Sequence, residues 1–154
     1  MADHDSFTAT WAPRALSILR IAAAFLLIQH GTQKLFSYPP APPPPTPPAA
    51  QQQNAQQPAA QQPPKTPVYI TVAGVLEFFG CLLLLLGLFT RPVSFILSGL
   101  LAVAYFMAHA PQGFWPVVNR GELAALYSFV FLYLAAAGGG AWSLDRLIRR
   151  DRTP

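Results

Sequence analysis

The stretch "GVLEFFGCLLLLLGLFTRP", residues 74–92, holds one carboxylate, Glu77, in an otherwise apolar run. Glu77 lies about ten residues into the second apolar span, which starts at about residue 68, or roughly 15 Å along a helix rising 1.5 Å per residue. A charged side chain at that depth in a bilayer costs at least about 2.5 kcal/mol. The acid must therefore stay protonated or meet partners that face inward. Partners of the right chemistry occur in the other apolar runs: His30, Lys34, His109 and Glu122. Together with Glu77 they form a candidate set for ligand binding or proton relay, with acids and imidazoles to pass protons and an ammonium to hold a negative charge. Arg20 and Asp145 form a second candidate set, expected as a structural ion pair.

Each residue also has a plainer reading. Lys34 and Glu122 can snorkel at helix ends. Arg20 can snorkel or pair, either histidine can hydrogen-bond a helix end, and Glu77 can be a structural hydrogen bonder. Two histidines and two carboxylates suit a metal, but no HxxxH or ExxH spacing puts two ligands on one helix, so no metal site is expected. No haem-ligand pair, Gly-rich phosphate loop or nucleophile elbow is visible. The single cysteine, Cys81, excludes an internal disulfide or a CxxC couple and is expected to be a small buried apolar residue.

The elements that position these groups follow from composition. The chain has 154 residues, 53% hydrophobic and 10% charged, with a mean hydropathy of +0.34. Soluble domains carry about 25% charged residues, so too few charges are present to wet a globular surface. Four apolar stretches, about 15–36, 68–89, 92–110 and 122–142, each approach the roughly 20 residues that cross a bilayer as a helix. The fold expected is all-α: one integral membrane domain over 1–154, built as a four-helix antiparallel bundle. The first run lacks a positive N-terminal flank and reads as a retained span.

Helical periodicity then aligns the polar groups. Arg20 and Lys34, two heptads apart, share a face with Gly31, and His30 lies beside it. Ser94, Ser98, Tyr105 and His109 fall in one sector of the third span; Glu122, Tyr133 and Gly140 align in the fourth. Gly74, Gly80 and Gly87 suit close helix approach. Phe89 ends the second span and Pro92 suits the first turn of the third, predicting an antiparallel hairpin.

Between the first two spans lies a low-complexity Pro/Ala/Gln loop, about 38–67, expected to be disordered with polyproline II character. Arg14, Arg91, Arg146, Arg149, Arg150 and Arg152 fall on one side of the membrane, and Lys34, Lys65 and Arg120 on the other. The positive-inside rule places both termini in the cytoplasm. The net charge of +4 thus serves topology, and nucleic acid is not an expected partner. "SLDRLIRRDR" predicts a short C-terminal interfacial helix capped by Ser143. On this topology His30, Lys34, Glu77, His109 and Glu122 gather toward the outer half, and Arg20 lies toward the cytoplasm near Asp145.

"LRIAAAFLLIQHGTQKLF", "GVLEFFGCLLLLLGLFTRP" and "NRGELAALYSFVFLYLAAAGGGAWSLD" resemble the successive spans of DoxX-family membrane proteins. The resemblance carries an "HGxxKLF" motif, a GxxExxG motif running into "GLFTRP", and a "GE" start with a "GxGxxSLD" end. It covers nearly the whole chain except the Pro/Gln loop, which departs from a compact first loop. It implies a four-helix protein of the bacterial inner membrane. It also implies a link to quinone-dependent redox or oxidative-stress complexes, and roles at Arg20, His30, Lys34, Glu77, His109, Glu122 and Asp145.

On this reading the chain is an accessory subunit whose outward-facing polar pocket takes a small lipophilic ligand, with a quinone as the candidate cofactor. No self-contained catalytic motif is present, so redox activity would need a partner subunit or the quinone itself. Besides the lipid bilayer, the partners expected are that redox subunit or a second copy. The alternatives are a small proton-coupled transporter and a scaffold recruiting partners through the Pro/Gln loop.

Overall fold

A computed structural model describes residues 2–40 and 67–150, with side chains within 6–40 and 67–148. All regular elements among them are helical. They are α1 (Ala2–Phe36), α2 (Val68–Leu86), α3 (Thr90–Ala104), a π-helical turn (Tyr105–His109), a 3-10 turn (Ala110–Gln112), α4 (Pro116–Asn119), α5 (Glu122–Ala137) and α6 (Leu144–Arg150). Three stretches are long and apolar enough to cross a membrane: Ser6–Phe36, Val68–Leu86 and Thr90–Gln112. The core of the Pro/Gln loop expectation, residues 41–66, lies outside the described residues.

Two expected boundaries move. The first helix starts at Ala2 rather than near residue 15 and carries Pro13 inside it. The fourth apolar run is helical only to Ala137, not to 142. At 16 residues α5 rises about 24 Å, short of the roughly 30 Å hydrocarbon core. The cause is the glycine run that follows. Gly138 and Gly140 have φ of 91° and 78°, a region that L side chains rarely adopt. The chain leaves the helix there and folds back onto α1, where Ala141 N–H donates to Pro13 O (2.9 Å) and Trp142 N–H to Ser17 Oγ (3.0 Å).

α1 packs mainly on α2 and α3 mainly on α5, while α2 meets α3 and α1 touches α5. Between them lies one apolar core: Ala23, Ala24 and Leu27 of α1, Cys81 and Leu84 of α2, Leu97 and Leu101 of α3, Phe131 and Leu134 of α5. Cys81 is fully buried in it, as expected. Leu, Ile and Phe also cover the outside: Ile18, Phe25, Phe79, Phe95 and Phe129 are all more than half exposed. So much exposed apolar surface is stable only in contact with lipid or another protein.

Two details align the helices. A β-carbon on Gly31 would stand 2.7 Å from the Phe78 backbone nitrogen, so α1 and α2 cross in near-backbone contact there. At the opposite end the tight turn between α2 and α3 runs through Gly87 (φ 69°) and Phe89 (φ 51°). The Asp145 carboxylate holds this turn, accepting the N–H groups of Phe89 and Thr90 at 2.8 Å each. α6 starts as the sequence suggests, with Arg146 N–H donating to Ser143 Oγ at 3.3 Å.

Candidate functional site

The Gly31 crossing decides what meets Glu77. Lys34 is one turn beyond Gly31 on α1, and Glu77 one residue before Phe78 on α2. The close approach lays the lysine stem along α2, so that a β-carbon at Gly74 would be 3.0 Å from Lys34 Cβ. Lys34 Nζ then donates to both Glu77 oxygens at 2.5 Å. The glutamate side chain is 3% exposed and the lysine 30%. A carboxylate buried this deeply is stable when an opposite charge and hydrogen bonds replace its water.

The pair lines a cavity of about 210 Å³ closed by α3, the π-helical turn, the loop before α5, and α5. His30 enters from α1, His109 from the π-helical turn after α3, Arg120 from the loop before α5, and Tyr127 from α5; Leu27, Leu101 and Leu123 supply apolar wall. The site is thus a cationic and imidazole-rich rim around one ion pair, with hydrocarbon behind it.

The π-helical turn aims His109. In it the Ala110 N–H bonds back to Tyr105 O, one residue further than in an α-helix. Such turns recur at functional sites. The ring stacks on Tyr105 at a centroid distance of 6.4 Å, and its Nδ1 lies 3.1 Å from Asn119 O. A carbonyl only accepts, so Nδ1 carries the proton. In the neutral ring Nε2 is then left as an acceptor.

Asn119 is the organiser the sequence did not reveal. Buried to 2% exposure, it donates to Gly113 O (2.8 Å) and accepts from Gly121 N–H (2.8 Å). It thereby ties the loop that carries both the His109 acceptor and Arg120. Arg120 also went unrecognised: read as a topology charge, it sits in left-handed backbone (φ 59°) and reaches the cavity. An asparagine between two valines and an arginine gives no periodic signal. Only the "NRG" turn composition hinted at a tight bend.

Of the five residues expected to cluster, the structure brings four together: His30, Lys34, Glu77 and His109. Glu122 does not join them. It opens α5 with an exposed side chain, and the cavity is lined by the next two residues, Leu123 and Ala124. The helix rotation that seats Phe131 and Leu134 in the core turns position 122 outward.

Arg20 and Asp145, expected as a structural ion pair, come to the same end of the molecule and interact through space, with no direct ion-pair contact between them among the described residues. Arg20 is fully buried, yet its guanidinium is bound by backbone carbonyls. Nε donates to Gly139 O (3.0 Å), Nη1 to Leu84 O and Leu85 O, and Nη2 to Trp142 O (2.5 Å). Leu84 and Leu85 belong to the last turn of α2, where Leu84 O also accepts from the Gly87 N–H (3.0 Å) and Arg20 adds the further donors that a helix end needs. Arg20 therefore caps α2 and pins the glycine segment to α1, while Asp145 caps α3. Both residues staple the same end of the molecule, each to backbone. Among the described residues, no group of three or more His, Cys, Asp or Glu is placed to hold a metal.

Residues 15–110 match the family described as DoxX. An uncharacterised protein of Haemophilus influenzae (strain ATCC 51907 / DSM 11121 / KW20 / Rd) is 41% identical over 138 residues, 88% of this chain and 91% of that protein. A second uncharacterised protein of the same strain is 35% identical over 68 residues, 44% of this chain and 45% of the other. No solved structure matches.

Proposed function

The chain belongs to the DoxX family of membrane proteins, and we propose that it is an accessory subunit of a quinone-linked redox or oxidative-stress complex in a bacterial inner membrane. In this reading its four main helices form an antiparallel bundle with both termini cytoplasmic. α5 and the folded-back 138–143 segment together complete the fourth crossing. α6 lies in the interface, and the Glu77 cavity opens toward the outer half.

One observation carries the ligand reading. A Lys34–Glu77 ion pair with its carboxylate buried shares a cavity of about 210 Å³ with His30, His109 and Arg120. Drug-sized ligands fill cavities of about 300–1,000 Å³. This one suits a ring-sized head group whose tail leaves along the lipid-facing wall. The donor set fits a quinone: cationic donors for carbonyl oxygens and leucines for the ring faces. A bound quinone would supply two-electron, two-proton chemistry, its electrons exchanged with a partner subunit.

The protein's own groups handle position and protons. Lys34 and Arg120 orient and polarise ligand oxygens. Among the described residues the Arg120 and His30 side chains have no hydrogen-bond partner, so both are free to serve an incoming group. His109 Nε2 takes a proton from a ligand hydroxyl, and the Asn119 carbonyl then stabilises the imidazolium through Nδ1–H. Glu77 holds Lys34 in place through both carboxylate oxygens.

The test is equilibrium binding of a short-chain benzoquinol, the reduced form whose hydroxyls can donate to His109 Nε2, to the purified full-length protein. Saturable binding to wild type should weaken about tenfold in His109→Phe, the loss of one hydrogen bond from the ligand hydroxyl, and in Glu77→Gln, which releases the ammonium that the carboxylate holds. Absence of saturable binding, or variants that bind like wild type, overturns the reading. Proton flux through the protein in liposomes would point instead to a transporter.

A further inference from the structure

A second, larger cavity of about 610 Å³ opens at the end of the molecule opposite the Glu77 site. Its floor is the folded-back Gly138–Gly140 backbone. Leu16 of α1 and Ala137 of α5 give it apolar walls, and Arg91, Arg146 and Tyr133 stand around it. Arg91 sits in the first turn of α3, its guanidinium over Gly138, where a β-carbon would be 3.5 Å from Nε. Arg146 comes from α6. Among the described residues neither guanidinium has a hydrogen-bond or ion-pair partner. The one acid in the lining, Asp145, is committed: both its oxygens already accept backbone N–H groups of Phe89 and Thr90. Tyr133, 57% exposed, adds a hydroxyl donor at the rim.

We propose that this cavity binds the head group of an anionic phospholipid. Two unpaired guanidiniums present forked donors to phosphate oxygens. The adjoining apolar face of α5, with Phe129 one turn from Tyr133 and more than half exposed, offers a bed for acyl chains that a soluble anion cannot use. Basic pockets between membrane helices on the cytoplasmic side are suited to such head groups. The basic sequence that follows, Arg149, Arg150 and Arg152, adds long-range attraction to an anionic leaflet. The bound lipid would bridge α3, α5 and α6 where the short α5 ends. This site rests on the membrane placement of the chain and not on the ligand assigned to the Glu77 cavity.

The test is native mass spectrometry of the full-length protein in detergent, titrated with phosphatidylglycerol, with phosphatidylcholine of the same chains, and with inorganic phosphate as competitor. Wild type should retain phosphatidylglycerol at least tenfold more tightly than phosphatidylcholine, and millimolar phosphate should not displace it. Arg91→Gln and Arg146→Gln should each lower that preference roughly fivefold. Arg14→Gln removes the same charge at the same end, but its guanidinium lies on Trp11 outside this cavity, so it should keep the preference. The proposal is overturned by equal retention of the two lipids or by an unchanged preference in both cavity variants. An equal loss in Arg14→Gln, or full displacement by phosphate, overturns it too, pointing to diffuse surface charge or to a free-anion site.

Discussion

Removing the ammonium from the Lys34–Glu77 pair should cost more than removing both charges. In Lys34→Met the Glu77 carboxylate, 3% exposed, loses the donor that meets both its oxygens at 2.5 Å. Breaking a buried pair from one side costs about 3–5 kcal/mol. Lys34 is 30% exposed, so water can partly replace it and the lower end of that range applies, about 3 kcal/mol. Glu77→Gln leaves an ammonium that can turn to solvent, and should cost about 1–2 kcal/mol. In the double variant no charge is left uncompensated. Its cost should fall short of the sum of the single costs by about 2 kcal/mol, well beyond the roughly 0.5 kcal/mol within which independent sites add. The assay is reversible unfolding of the purified protein in lipid–detergent bicelles, with wild type, both single variants and the double variant under one condition. Additivity within 0.5 kcal/mol would refute the reasoning: the two side chains would then not share a buried contact, and the cavity would lose its central feature.

Three other outcomes follow from the geometry. Gly31→Leu should lower stability by about 1–3 kcal/mol in the same assay and weaken benzoquinol binding along with it, because the side chain meets the Phe78 backbone and forces α1 off α2; a variant as stable as wild type would remove the crossing from the account. Arg20→Met should cost at least about 2 kcal/mol, since it takes the Arg20 donors from Trp142 O and Leu85 O and one of two donors from Leu84 O and Gly139 O, and Arg20→Lys should recover little, having no fork to span them; full recovery by lysine would show that charge alone matters. Asp145→Ala should cost about 0.5–2 kcal/mol as a lost helix cap and speed amide exchange at Phe89 and Thr90, whereas Asp145→Glu tests reach; unchanged exchange at those two amides would contradict the capping role.

The sequence by itself determined the solvent and the class of fold. With 10% charge and several long apolar runs, the chain can bury its backbone polarity in lipid only as helices, and that argument needs no contacts. It also singled out Glu77, because an acid at that depth demands a partner wherever the partner comes from. Lys34 and Arg20 were marked as sharing a face of α1 by their spacing alone, since 100° per residue is a property of one helix.

Between helices that logic stops. Which face of one helix meets which face of another depends on crossing position and rotation, set by three-dimensional packing. The Gly31 contact slid α1 along α2 until Lys34 covered Glu77. The seating of Phe131 and Leu134 turned Glu122 away. A glycine run ended α5 early and laid carbonyls beside Arg20, so the arginine bonded backbone and the nearest acid capped a different helix. Arg120 and Asn119 came to the cavity through left-handed and looped backbone that carries no period to read. Residue types and one-dimensional spacing fix what chemistry is on offer, and only the packing of one helix on the next decides which of those groups meet.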